Sequence, residues 1–305
     1  MTPTEIKKAL SEFGGQANKR LGQHFLIDNK VLETIVETAD IHAGDTVLEV
    51  GPGLGVLTSA LLDHGAEVMA IEQDRRMVEY LEKNVRARRA VPLRIVQGNA
   101  AYVHWHELTD EKSWKFVSNL PYGITSLALR KALYSPRPPL NIVVLVQREV
   151  GERATTVGAG SPRPGAETAP LRHRGKTSLL SLMVALASSS TRIVRRVSAD
   201  AFYPPPKVES VILQITPMTL EDRIKRWGME PEKIMEIARQ GFAHPRKLLK
   251  SNLSTMGPGS FCQGRGIPSL RQLDIPEKAR PEDLSPDDWV RLCGFINLND
   301  AGFIP

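Results

Sequence analysis

Glu49-Val50-Gly51-Pro52-Gly53-Leu54-Gly55 follows the apolar run that starts at Thr46 and leads into a second apolar stretch through Leu62; its reading decides the fold. Glycines at alternate positions let a chain leave a strand, turn sharply and bring its backbone close to a ligand. A glycine loop alone is common to nucleotide sites of several kinds. Glu72 narrows the choice: it closes a second apolar run, Glu67–Ile71, 21 positions after Gly51. A carboxylate there can accept both hydrogen bonds of a ribose diol. Pro52 inside the loop and Glu49 before it speak against a pyrophosphate, which the acid repels. A sulfonium cofactor is positively charged, ends in an amino acid and has no phosphate, so Glu49 suits it.

Outward from the loop, strand and helix patterns alternate. The spacing predicts a helix over Leu32–Ala39, started by Asp28 or Asn29, and another from Asp74 toward Val85. Short apolar runs predict strands at Thr46–Val50, Glu67–Ile71, Leu93–Gln97, Lys115–Ser118 and Asn141–Val146, with a helix at Ser126–Leu133. Such alternation implies a parallel sheet covered on both faces. Thr191–Val197 and Val208–Ile215 are too close for a helical crossover, so an antiparallel pair is expected at one edge. After Pro217 the texture turns helical, at Pro231–Phe242, at Pro245–Leu253 and beyond Ser285. There Ser caps, Pro286 takes the first position, and Asp287 and Asp288 face the positive helix end. The expected organisation is a flexible leader over 1–17, an α/β domain over 18–217 and a small helical domain over 218–305. The Gly/Pro/Arg-rich stretch 157–176 reads as a mobile loop.

Asn119-Leu120-Pro121-Tyr122 follows the fourth strand, at the carboxyl edge where open α/β sheets place their sites. The motif fits methylation of an adenine amine. That nitrogen is a poor nucleophile because its lone pair is delocalised into the ring. Two acceptors, the Asn119 side-chain oxygen and the Leu120 carbonyl, can hold its hydrogens and favour a pyramidal nitrogen. Pro121 stiffens the turn and has no amide hydrogen to compete. Tyr122 offers a flat face on which an extruded base stacks.

Composition sets the outer limits. The chain of 305 residues carries a formal charge of +6, which suits an anionic partner without requiring one. Cys262 and Cys293 stand far apart, so a disulfide framework or a cysteine-based metal site is not expected, and a reducing cytoplasm is the simpler setting. His104 and His106 flank Trp105 without a third ligand, so no metal is expected. No apolar run has the length of a signal peptide or a membrane helix.

With these residues in place, the sequence resembles the small-subunit ribosomal RNA adenine dimethyltransferase family, from about Asn18 onward. The resemblance rests on Lys19-Arg20-Leu21-Gly22-Gln23-His24-Phe25-Leu26, the loop Glu49–Gly55, the motif Asn119–Tyr122, the segment Ala201–Ser210 with its Pro204-Pro205-Pro206-Lys207, and the stretch from Phe242 to Leu253. It implies a Rossmann-like class I methyltransferase sheet, S-adenosylmethionine as cofactor, and transfer of two methyls to each of two adjacent adenosines. These adenosines lie in a 3′-terminal hairpin of small-subunit RNA and are modified during ribosome assembly. It further implies that His24, Leu26, Gly51, Gly53, Glu72 and Asn119 border the cofactor and that Phe202 forms the wall of the adenine pocket opposite Tyr122. Asn99 stands where the family has an Asp accepting from the cofactor's adenine amine; its amide oxygen accepts without charge. Arg195, Arg196, Lys207, Arg246, Lys247 and Lys250 are the candidate phosphate contacts. A cytoplasmic monomer acting on pre-30S particles is expected. Two other readings compete: a large-subunit RNA methyltransferase of the macrolide-resistance type, and a non-catalytic ribosome assembly factor. The Pro-Pro-Pro-Lys segment and intact Asn119 and Tyr122 weigh against them.

Overall fold

A computed structural model describes residues 1–13, 15–17, 22–88, 92–109, 113–156, 176–254 and 270–301, the side chains of 297–301 excepted. Residues 157–175 of the expected mobile loop, and Lys19 to Leu21 of the amino-terminal motif, lie outside the described residues. The chain divides into two compact units, Met1–Glu152 with Ser190–Pro217 and Arg153–Ser189 with Met218–Pro305. One crossing between them falls at Pro217–Met218; the excursion over 153–189 is a second feature, unforeseen from sequence.

In the first unit the strands are β1 (Phe25–Leu26), β2 (Thr46–Val50), β3 (Glu67–Glu72), β4 (Leu93–Gln97), β5 (Trp114–Asn119), β6 (Ile142–Gln147), β7 (Ser188–Val197), β8 (Phe202–Tyr203) and β9 (Ser210–Pro217). Seven of them form one sheet in the order β4-β3-β2-β5-β6-β9-β7. The first five positions run parallel, and β9 is antiparallel to β6. Side-chain bonds Arg192–Gln214 and Ser190–Thr216 link β7 to β9 with opposite chain directions, the expected antiparallel edge pair. Strands β2 and β6 are apolar runs because both of their faces are covered: residues 46–50 are all buried, and Ile142 to Val146 have no exposure at all.

Three helices frame the sheet's carboxyl edge. Asp28 caps α2 (Asn29–Ala39) through the amides of Lys30 and Val31, and Asp74 caps α4 (Arg75–Asn84) through Arg76. Helix α3 (Val56–Asp63) leaves the glycine loop directly. Val31, Ile35, Leu57, Leu61 and Leu81 from these helices pack with Val47, Val117, Val143 and Leu145 of the sheet. Phe116, on the opposite face from Val117, meets Trp105 of α5 (Trp105–Thr109) with ring centroids 5.3 Å apart.

Residues 3–12 are not a loose leader. They form α1 (Pro3–Glu12), with a reciprocal cap between Thr2 and Glu5 and Pro3 in the first turn. Its stripe Ile6, Ala9 and Leu10 is buried against Phe25, Leu54 and Met77. Apolar burial of this kind is worth roughly 1.5–3 kcal/mol per large side chain, enough to hold a short helix that would not persist alone.

The second unit is helical. Its α8 (Leu179–Ala187) is almost wholly apolar and packs on α10 (Pro231–Gly241) and α12 (Pro286–Ala301), while α9 (Leu220–Trp227) and α11 (Leu249–Leu253) also meet α10. The remaining helices of the chain are α6 (Thr125–Leu133) and α7 (Arg148–Thr155). The helix expected from Pro245 begins four residues later. Lys247 N–H donates to the His244 carbonyl at 2.9 Å, and the Asn252 amide to the same oxygen at 3.0 Å. These bonds hold residues 242–248 as a turn.

Candidate active site

The parallel register decides what meets at the carboxyl edge. Val50 pairs with Ile71, Glu72 with Gln97 and Asn119 with Leu145, so the residues that follow β2, β3, β4 and β5 emerge side by side. They enclose a cavity of about 400 Å³ lined by Gln23 to Leu26, Glu49 to Leu54, Glu72, Asn99 and Asn119 to Ile124, among others. His24, Leu26, Glu49, Gly51, Gly53, Glu72, Asn99, Asn119, Leu120, Pro121 and Tyr122 all border it. Among the described residues no lysine or arginine does.

Gly51 has φ of 71° and donates its amide to Ile71 O at 2.9 Å. A Cβ on it would stand 2.9 Å from the Pro121 ring, so the glycine turn lies directly against the Asn119–Tyr122 motif. Glu72 is 6% exposed, and both of its oxygens accept main-chain hydrogens, from Gly53 at 3.0 Å and Asp74 at 2.8 Å. Burial raises its carboxyl above the usual range, against those two bonds. Glu49 is 1% exposed; burial pushes it up to about 8, although Thr58 Oγ1 donates to it at 2.6 Å, and nearby Glu72 adds to the rise. Sequence reading treats Glu49 as a standing negative charge. Burial thus favours its neutral form, and a cation sharing the cavity would favour the ionised one.

Asn119, at the end of β5 and lining the cavity, donates Nδ2–H to the His24 carbonyl at 3.2 Å, which anchors its side-chain amide. Leu120 N–H is held by Leu145 O at 3.2 Å, and Ile124 N–H by Pro121 O at 3.1 Å, so the motif is fixed from both sides. The Tyr122 hydroxyl meets Ser210 Oγ at 2.8 Å, and its ring lies 5.7 Å from the His24 ring at 28°. Burial raises the Tyr122 hydroxyl's pKa. His24 Nδ1 lies 2.7 Å from the Pro204 carbonyl.

Phe202 departs from expectation. It is 2% exposed, opposite Leu26 in the antiparallel β1–β8 pair, and packs in the main core with Ile212 and Val197; it is not a lining residue. Its register turns the ring inward, and His24 is the ring that faces Tyr122. Asn99 Oδ1 already accepts from Ala101 N–H at 2.9 Å, leaving one lone pair for a ligand.

Among the basic candidates, Lys207 is exposed, as are Arg246, Lys247 and Lys250 in the second unit. Arg195 is engaged instead: its guanidinium donates to Lys30 O and Thr34 Oγ1, both at 3.1 Å, and so ties β7 to α2. Arg196 is 71% exposed, 3.8 Å from Glu152. Among the described residues no group of three His, Cys, Asp or Glu could hold a metal ion, and no helix is long and apolar enough to cross a membrane.

The family model described as ribosomal RNA adenine dimethylase matches residues 14–297. A Dehalococcoides mccartyi protein named ribosomal RNA small subunit methyltransferase A is 34% identical, over 95% of this chain and 91% of its own. A Chlamydia felis protein of the same name is 31% identical, over 98% and 96%. The crystal structure of a dimethyladenosine transferase from Plasmodium falciparum superposes with a TM-score of 0.67 at 25% identity, covering 92% of this chain and 99% of that one. The sheet is thus a Rossmann-like methyltransferase sheet.

Proposed function

Because the chain belongs to the ribosomal RNA adenine dimethylase family, we propose that it methylates small-subunit (16S) ribosomal RNA with S-adenosylmethionine, making dimethyladenosines of two adjacent adenosines in a 3′-terminal hairpin. On this reading it works as a cytoplasmic monomer on small subunits still being assembled. The observation that carries it is the single cavity joining two buried carboxyls, without a lysine or arginine in its lining, to an asparagine whose amide is anchored by a carbonyl.

The residues present fit the cofactor. Burial and the neighbouring Glu72 hold the Glu49 carboxyl's pKa high, and a ligand bearing positive charge would favour its ionised form, so the cavity suits a cation better than a phosphate. Bound there, S-adenosylmethionine supplies an electrophilic methyl group. Glu72, oriented by Gly53 and Asp74, would accept from the ribose hydroxyls, and Asn99 from the adenine amine. Asn119 Oδ1 and the Leu120 carbonyl would hold the target amine's two hydrogens. The Tyr122 ring would support the base, and the proton would leave to water once the new bond has formed. Positioning, not a strong base, then supplies most of the rate. Lys207, Arg196 and the trio Arg246, Lys247 and Lys250 are offered as phosphate contacts, which makes RNA affinity fall with salt.

Incubating the protein with under-methylated small and large subunits and methyl-labelled cofactor, followed by mapping of the label, tests the reading. Label on two adjacent adenosines of the small-subunit RNA is expected. Label confined to large-subunit RNA, or RNA binding without any transfer, would refute it.

A further inference from the structure

The loop between β4 and α5, residues 98–104, has no regular structure, yet its carbonyls are almost fully engaged. The Asn99 carbonyl accepts from Tyr102 N–H at 2.9 Å, and the Ala100 carbonyl from Trp105 Nε1 at 3.0 Å. The rest of the restraint comes from one distant side chain. Lys131 Nζ donates to Ala100 O at 2.9 Å, Ala101 O at 2.8 Å and Val103 O at 2.7 Å, using all three of its hydrogens. The ammonium also lies 5.5 Å from the Trp105 ring centroid.

Lys131 sits on α6, whose apolar face of Ala128, Leu129, Ala132 and Leu133 is at most 1% exposed. The start of α6 is bonded to the Asn119–Tyr122 motif, Thr125 Oγ1 donating to Tyr122 O at 3.3 Å. One cation therefore spans from the helix that continues the Asn119 motif to the loop that carries Asn99. Asn99 and Ala100 line the cavity; Lys131 does not.

We propose that Lys131 is a positioning residue for the adenine end of the cofactor: its ammonium clamps the carbonyls of Ala100, Ala101 and Val103 so that Asn99 holds a fixed place relative to the Asn119–Tyr122 motif. Asn99 Oδ1 is itself bonded to Ala101, the middle residue of the clamped set, so displacing those carbonyls displaces the Asn99 amide. Burial lowers the Lys131 pKa and the neighbouring Arg130 charge adds to the fall, while the three carbonyls it binds favour the ammonium form. The proposal rests on the reading that Asn99 meets the cofactor's adenine amine.

The full-length protein and two variants are titrated calorimetrically with S-adenosylhomocysteine and with S-inosylhomocysteine, which lacks the amino group. The unaltered protein prefers the adenosyl compound. Lys131→Met keeps the stem and removes the clamp; it binds S-adenosylhomocysteine about tenfold more weakly and loses most of that preference. Lys131→Arg keeps the charge, but its planar fork does not match three converging carbonyls, so part of the preference goes. Should Lys131→Met fail to fold, Lys131→Arg decides. Folded variants that retain both affinity and preference overturn the proposal, even if their melting temperatures fall. Equal binding of both compounds by the unaltered protein overturns the Asn99 reading itself, and the clamp's role with it.

Discussion

Replacing Gly51 by Ala tests the contact between the cofactor loop and the catalytic motif. The residue has φ of 71°, a left-handed conformation that costs an L side chain roughly 1–2 kcal/mol. The added Cβ would stand 2.9 Å from Pro121 Cγ and 3.0 Å from Cδ. Carbon atoms rest about 3.5–4.0 Å apart, so a gap of roughly 0.5–1 Å has to open. The proline ring cannot fold away, and its carbonyl is held by Ile124 N–H, so the relief comes from shifting the motif. A shift approaching 1 Å lowers methyl transfer by about 100-fold. Strain and crowding together cost about 2–4 kcal/mol of stability. Label transfer to under-methylated subunits gives the rate, and urea unfolding the stability. Gly123→Ala is the matched control: it lines the same cavity, but its Cβ meets nothing within 4 Å, so its rate should stay within a few-fold of the original. Wild-type turnover in Gly51→Ala would refute the reasoning, because the glycine would then not be braced against Pro121.

Three further outcomes are expected. Asn119→Ala loses about 100-fold or more in methyl transfer while RNA affinity, measured by filter binding, hardly changes; full activity would remove the role given to the amide oxygen. Ile6→Asp, at a fully buried position, lowers the urea midpoint and weakens cofactor binding through Phe25 and Leu54, which share its cluster and line the cavity; unchanged binding would make α1 dispensable to the site. Burial raises the folded Glu49 pKa to about 8 against an ordinary 4.5, so the native state holds the extra proton between those values. Its contribution is whole at acid pH and is lost as pH rises through that window, by at most about 1.4 kcal/mol per pH unit. Glu49→Gln removes that slope, and a denaturation series over pH 5 to about 9 that shows the same slope in both proteins would contradict the assignment.

Legibility differed between regions for physical reasons. Thr46–Val50 was readable to the residue because a central parallel strand is an apolar run with sharp breaks at its ends; Leu93–Gln97, at the sheet edge and only partly buried, was readable because Pro92 and Gly98 bracket it. The cavity followed from the same strands, since their ends fix where Gly51, Glu72, Asn99 and Asn119 emerge. Helix α1 escaped because Ile6, Ala9 and Leu10 stand among charged residues; the Thr2–Glu5 cap and Pro3 were the signals available. Phe202 was placed by resemblance, while its burial depends on the two-residue β1–β8 ladder, too short to leave a pattern. Lys131 carries no sequence signal at all: its role depends on three carbonyls about thirty positions away, which only the packing of α6 brings within reach.

The discontinuity of the second unit bears on how the chain is made. Leu179 to Ala187 leave the ribosome well before α10 and α12, the helices that cover them, because β7 and β9 are synthesised in between. At about 5–20 residues per second, this strongly apolar segment stays uncovered for several seconds. The nascent protein therefore offers a natural binding site to a holding chaperone, and crowded overexpression should drive it toward inclusion bodies through this segment first.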